Sequence, residues 1–271
     1  VIGFTFQAPA LNALPQPAMP HADTSSARFK PSLGGGLVLY FGYLVIVFAT
    51  WVFNGVDYQR IGESAETTRL GYASPTLLGC SFLVVALTWL GWWRQVLFDP
   101  TRLGPRWLVV LPVTVAVVIA SNLLGLQADR LGADLLLWSA LGALGVGFGE
   151  EMITRGSLVV GLRSRFGEGR QGRVWLISTL LFSAMHVPNV FFGLPLWAMP
   201  FQVLLTFIMG TALYLIRRHT GTLIVPMVLH GLWDSSLFLS VATGREPSPL
   251  QFVVYPLTVL CAIAVVRRGW R

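Results

Sequence analysis

Stretches of about 20 apolar residues, free of charge, recur along this chain, and each is long enough to cross a hydrocarbon core about 30 Å thick as a helix. Backbone surrounded by lipid has to satisfy its own polar groups, which admits only helices and closed barrels. The period-2 alternation of barrel strands is absent. The chain is therefore expected to be all-α, a polytopic membrane helix bundle. Composition agrees: 54% of the 271 residues are hydrophobic and 11% charged, whereas an ordinary soluble domain carries about 25% charged residues. Transmembrane helices are expected at roughly 34 to 53, 73 to 93, 107 to 126, 135 to 161, 174 to 193, 197 to 216, 222 to 242 and 250 to 266, about eight in all.

Residues 1–32 hold Pro9, Pro15, Pro17, Pro20 and Pro31 among Ala, Ser and Thr, the composition of a flexible tail. No basic segment precedes an apolar core there, so no signal peptide is expected. Residues 33–271 read as a single transmembrane domain without an internal repeat. Cys80 and Cys261 both lie in apolar runs and form neither a CxxC metal pattern nor a disulfide framework.

The net charge of +7 comes from arginines in short connections, not from a continuous basic surface, which argues against nucleic acid as a partner. Membrane topology accounts for them. Alternate connections and the two chain ends carry 14 Lys and Arg residues on one side and 4 on the other, with Arg155 alone inside a span. The positive-inside rule then places both termini in the cytoplasm, the arrangement expected for an integral protein of a bacterial plasma membrane.

Three of the twelve acids, Glu150, Glu151 and Asp234, fall inside otherwise apolar helices, and so do two of the four histidines, His186 and His230. A charged side chain at the bilayer centre costs about 2.5–3.5 kcal/mol, so such residues face the bundle interior and mark a site. With a rise of about 1.5 Å per residue, Glu150, His186 and His230 lie roughly 16, 18 and 12 Å from the arginine-rich ends of their expected helices. That agreement predicts one shared pocket nearer the cytoplasmic face. Glu151 and Arg155 are i,i+4 neighbours able to pair on one face, which leaves Glu150 about 100° around the helix, and His230 and Asp234 share the same spacing. Gly145 and Gly149 form a GxxxG spacing that admits a closely packed neighbouring backbone.

Taken in order, Glu150-Glu151-Met152-Ile153-Thr154-Arg155 reads EExxxR, Phe182-Ser183-Ala184-Met185-His186 reads FxxxH, and His230-Gly231-Leu232-Trp233-Asp234 reads Hxxx(N/D). On successive membrane helices this set resembles the CPBP (Abi) family of intramembrane endopeptidases, which includes the CAAX prenyl endopeptidases, over roughly residues 135–240. The resemblance implies hydrolysis of a peptide bond in a membrane-associated peptide or protein by a glutamate-activated water. Glu150 would be the general base and His186 would hold and polarise the water. His230 and Asp234 would face the oxyanion, with Glu151 and Arg155 as support and Phe182 as packing. Asp234 stands where the commoner family form has Asn. Asn donates a hydrogen bond and an ionised Asp does not, so Asp234 either carries a proton or positions His230.

Glu150, His186 and His230 are also the donor types of a His₂Glu zinc centre. No HExxH is present, and the resemblance favours a metal-free glutamate peptidase, so no cofactor is expected, with zinc as the alternative. No GxSxG occurs, and Ser183 lacks the glycine context of a rhomboid-like nucleophile. Two rivals of other classes are a proton-coupled transporter, which predicts an inverted repeat that is absent, and a non-catalytic interaction or immunity protein of the same fold. Substrate identity, prenylation and oligomeric state carry no sequence signal.

Overall fold

Ser32 begins the first helix by accepting a hydrogen bond from Gly35 N, satisfying one of the amides that a helix start leaves unpaired. In the computed structural model, which describes residues 27–270, eight apolar helices follow among the described residues. They are α1 (Leu33–Asn54), α2 (Ala65–Leu90), α3 (Arg106–Leu124), α4 (Ala133–Phe166), α5 (Glu168–Phe192), α6 (Met199–Thr220), α7 (Ile224–Ala242) and the shorter α8 (Gln251–Arg267). The first seven are long and apolar enough to cross a membrane. The expected Pro-rich tail lies outside the described residues up to position 26. Residues 27–32 are non-helical, and Phe29 meets Trp92 Nε1 and the carbonyl of Leu90.

α4 is the central helix. It packs most extensively on α2 and next on α7, and also touches α1 and α5. One apolar core joins α1, α2, α4 and α5, and a second joins α3, α6, α7 and α8, so the α4–α7 contact lies between two packed halves. Gly147 and Gly231 make that contact possible, since a Cβ on either would collide with the carbonyl of Met227 or Ala143 on the facing helix. The expected GxxxG pair works differently. Gly145 and Gly149 receive side chains, those of Thr76 and Tyr43.

Two expected boundaries move. α2 starts at Ala65 rather than near 73, because Ser64 and Thr67 form a reciprocal cap and a π-helical turn, Arg69–Ala73, leads into the apolar run. α6 runs through Arg217 and Arg218 to Gly221, whose φ of 74° ends it, so these arginines occupy the helix and not a loop. Both are buried because the connection after α2 folds back over them and supplies Asp99.

The connections sort onto two ends of the bundle. At one end Asp99, Arg163 and Arg218 meet, drawing together the connections after α2, α4 and α6. At the other end Gln59 donates to the carbonyl of Gly193, and Arg130 donates to the carbonyl of Thr243. This is the alternation that antiparallel helices with short connections require.

Candidate active site

Regular α-helix in α4 ends at Glu150 and Glu151, and the next seven residues, Met152–Leu158, form a π-helical segment, a geometry found frequently at functional sites. The two adjacent acids have different surroundings. Glu151 is fully buried, and its Oε1 accepts from Arg155 Nη1 at 2.7 Å and from His230 Nδ1 at 2.9 Å. The side chain of Glu150 is 16% exposed and lines a cavity of about 100 Å³ together with His186 and Asp234.

The i,i+4 spacing pairs Glu151 with Arg155 alone. Its second bond reaches across to α7 and makes it the residue that orients His230: the ring donates through Nδ1, and Nε2 is directed to Oε2 of Glu150 and Oδ2 of Asp234, 3.9 Å from each. His230 and Asp234 are thus adjacent, as their own spacing predicts, without a direct hydrogen bond. Phe182 links the three motifs as packing. Its ring lies 3.8 Å from Cζ of Arg155, and the rings of His186 and His230 stand edge-on to it at 5.3 and 5.7 Å.

His186 follows the last α-helical residue of α5, Ala184, where the chain tightens into a 3₁₀ segment, Val187–Phe192. Its Nδ1 is 3.0 Å from the carbonyl of Phe182. A carbonyl only accepts, so Nδ1 carries the hydrogen and Nε2 of the neutral ring is an acceptor. Ser183 is buried and its hydroxyl donates to the carbonyl of Leu180, which ties it to its own helix and away from any nucleophilic arrangement.

The cavity wall holds further polar residues that the sequence analysis does not single out, among them Tyr43, Tyr58, Tyr72 and Asn189. Asn189 has a signal, because residues three apart share a face in a 3₁₀ turn, which aligns it with His186. Its Nδ2 donates to Oε1 of Gln202 at 3.0 Å, and Gln202 Nε2 in turn donates to the Tyr58 hydroxyl. The tyrosines have none. They come from α1, α2 and the connection between them, roughly a hundred residues before the motifs.

The wall runs from Tyr43 in the middle of α1 through Trp51 to Tyr58, and from His186 to Asn189. These residues lie toward the end of the bundle opposite the arginine cluster, whereas the sequence predicts a pocket nearer the arginine-rich end. The helix ends explain the difference: α4 continues to Phe166 and α5 begins at Glu168, so Glu150 and His186 sit deeper, measured from that end, than helices ending at 161 and starting at 174 would allow.

Among the described residues no group of three His, Cys, Asp or Glu side chains is arranged to hold a metal ion.

Fold and site together define a polytopic helical membrane protein with a carboxylate and imidazole centre enclosed by its bundle. Residues 132–236 match the family model of the type II CAAX prenyl endopeptidases, Rce1-like, and this stretch is a domain of that family, also called CPBP or Abi. All seven motif residues from Glu150 to Asp234 fall within it, and Tyr43, Tyr58 and Tyr72 fall outside. A search of curated proteins returned no match.

Proposed function

We propose that this protein is an intramembrane endopeptidase in which Glu150 activates a water for hydrolysis of a peptide bond in a membrane-associated substrate, without a metal. The observation that carries the reading is the convergence of Glu150, His186 and Asp234 on one buried cavity, with His230 Nε2 3.9 Å from Glu150 Oε2. Such a separation suits a bridging water better than a direct bond. Glu150 takes a proton from the water as its oxygen adds to the carbonyl carbon, the carbonyl oxygen becomes an oxyanion, and the C–N bond breaks as the proton passes to the leaving amine. His186 accepts from the water through Nε2. Glu151 keeps His230 oriented at the oxyanion side, and Asp234 completes that wall.

The positive-inside count supports cytoplasmic termini. In that orientation the lining from Trp51 to Tyr58 favours a substrate segment entering from the half of the bundle away from the cytoplasm, in place of the cytoplasmic access that helix depth alone implies. Comparison of new N-termini in membranes carrying wild type and Glu150→Ala at equal expression tests the function. Products that depend on Glu150 support it, and their sequences identify the substrate class and its side of the membrane. Identical N-termini in both samples would sink it, and restoration of activity by zinc after chelation would overturn the metal-free mechanism.

A further inference from the structure

Tyr43 is 1% exposed, and its hydroxyl has no hydrogen-bond partner among the described residues although the residue lines the cavity beside Glu150. A buried hydroxyl left unpaired costs about 1–3 kcal/mol, so a persistent orphan at a reaction site asks for a partner that arrives with the substrate. The ring sits in a built slot. A Cβ on Gly79 of α2 or on Gly149 of α4 would come within about 2.5 Å of it, so two helices give up side-chain volume to hold this phenol next to Glu150.

Several other donors of the cavity wall are already engaged. Nδ1 of His186 is taken by the carbonyl of Phe182, the Asn189 amide by Gln202, and the Thr76 hydroxyl by the carbonyl of Tyr72. Asp234 has no N–H at the position where the commoner family form supplies an Asn amide. A tetrahedral intermediate needs donors aimed at its oxyanion, and Nε2 of His230, whose Nδ1 donates to Glu151, is one only when the ring carries a proton on both nitrogens.

We infer that the Tyr43 hydroxyl is a catalytic oxyanion donor, a role taken on by α1, outside the family-matched residues, that offsets the missing amide at position 234. It donates a hydrogen bond to the carbonyl oxygen as negative charge develops there and transfers no proton. This assignment rests on the peptidase reading of the same cavity.

Tyr43→Phe tests it, because phenylalanine fills the same slot and removes only the hydroxyl. The substrate is a quenched-fluorescence peptide spanning a Glu150-dependent cleavage site from the membrane comparison. The expected result is a kcat about 100-fold lower at nearly unchanged KM, the signature of an interaction made in the transition state, with an unchanged unfolding temperature. Adding Asp234→Asn to Tyr43→Phe returns a donor to the cavity and is expected to recover part of that loss. Wild-type kinetics in Tyr43→Phe would overturn the inference and leave the peptidase reading standing. So would a loss that follows a lowered unfolding temperature and is not relieved by Asp234→Asn, since that is packing. If wild type and Glu150→Ala yield the same products, the peptidase reading itself fails and this inference falls with it.

Discussion

Asp99 and Glu151 are both carboxylates buried among arginines, yet the clusters around them are organised for different ends. Around Asp99 every carboxylate oxygen is taken: Oδ2 lies 2.7 Å from Arg163 Nη2 and 3.8 Å from Arg217 Nε, while Oδ1 lies 3.5 Å from Arg218 Nη1 and accepts from Thr101 N. The cluster pins three connections at one end of the bundle. Around Glu151 the same carboxylate and guanidinium pairing is extended by one imidazole, and the neighbouring acid, Glu150, is left facing a cavity with its only ionic neighbour among the described residues, His230, 3.9 Å away. Buried charge by itself does not mark chemistry. What separates the two clusters is an acceptor held without a partner at a space large enough for water.

The largest expected effect falls on that unpartnered acceptor. Glu150→Gln keeps the shape and removes the base, so cleavage of a Glu150-dependent substrate should drop about 10²–10⁴-fold with the unfolding temperature unchanged. Retained cleavage would break the contrast at its centre. Next comes Asp99→Asn, which leaves three guanidiniums without their carboxylate and should cost about 3–5 kcal/mol of stability, read by thermal or denaturant unfolding in detergent. The protein that remains folded should cleave at the wild-type rate per molecule, and a selective loss of activity would show the two clusters to be coupled.

The Asp99 cluster also carries a pH signature. Burial alone would push the Asp99 carboxyl up, but the guanidiniums of Arg163, Arg217 and Arg218 outweigh it and hold the group below the usual carboxylate range. A carboxyl depressed in the folded state contributes stability that is fully present above its unfolded value of about 3.9 and is lost as pH falls through the folded value. Wild type should therefore lose stability below about pH 4, and Asp99→Asn should flatten that part of the profile.

Smaller effects test the division inside the Glu150–Glu151 cluster. Glu151→Gln weakens the bond that orients His230 and should lower activity about 10²-fold through misplacement alone. A variant that merely unfolds would return Glu151 to the supporting role read from the sequence. Asp234→Asn should change the rate by less than about tenfold and shift its pH dependence, since Asn can donate where an ionised Asp cannot. A rate that is nearly unchanged across pH would show that an ionised Asp234 is not required.

Much of this protein is legible in one dimension. Lipid admits so few backbone solutions that charge-free runs alone dictate an all-α bundle, and the cost of intramembrane charge singles out Glu150, Glu151, Arg155, His186, His230 and Asp234 from their positions in the chain. Helical spacing within single helices is equally readable, as the Glu151–Arg155 pair at 2.7 Å illustrates. Contacts between helices are not, because side-chain direction across a packed interface depends on rotation and depth that a hydropathy run leaves free. So only the tertiary structure gave Glu151 its second partner on α7, buried Arg217 and Arg218 against Asp99, turned the cavity away from the arginine-rich end, and brought the Tyr43 hydroxyl from α1 to a site whose motifs lie about a hundred residues later.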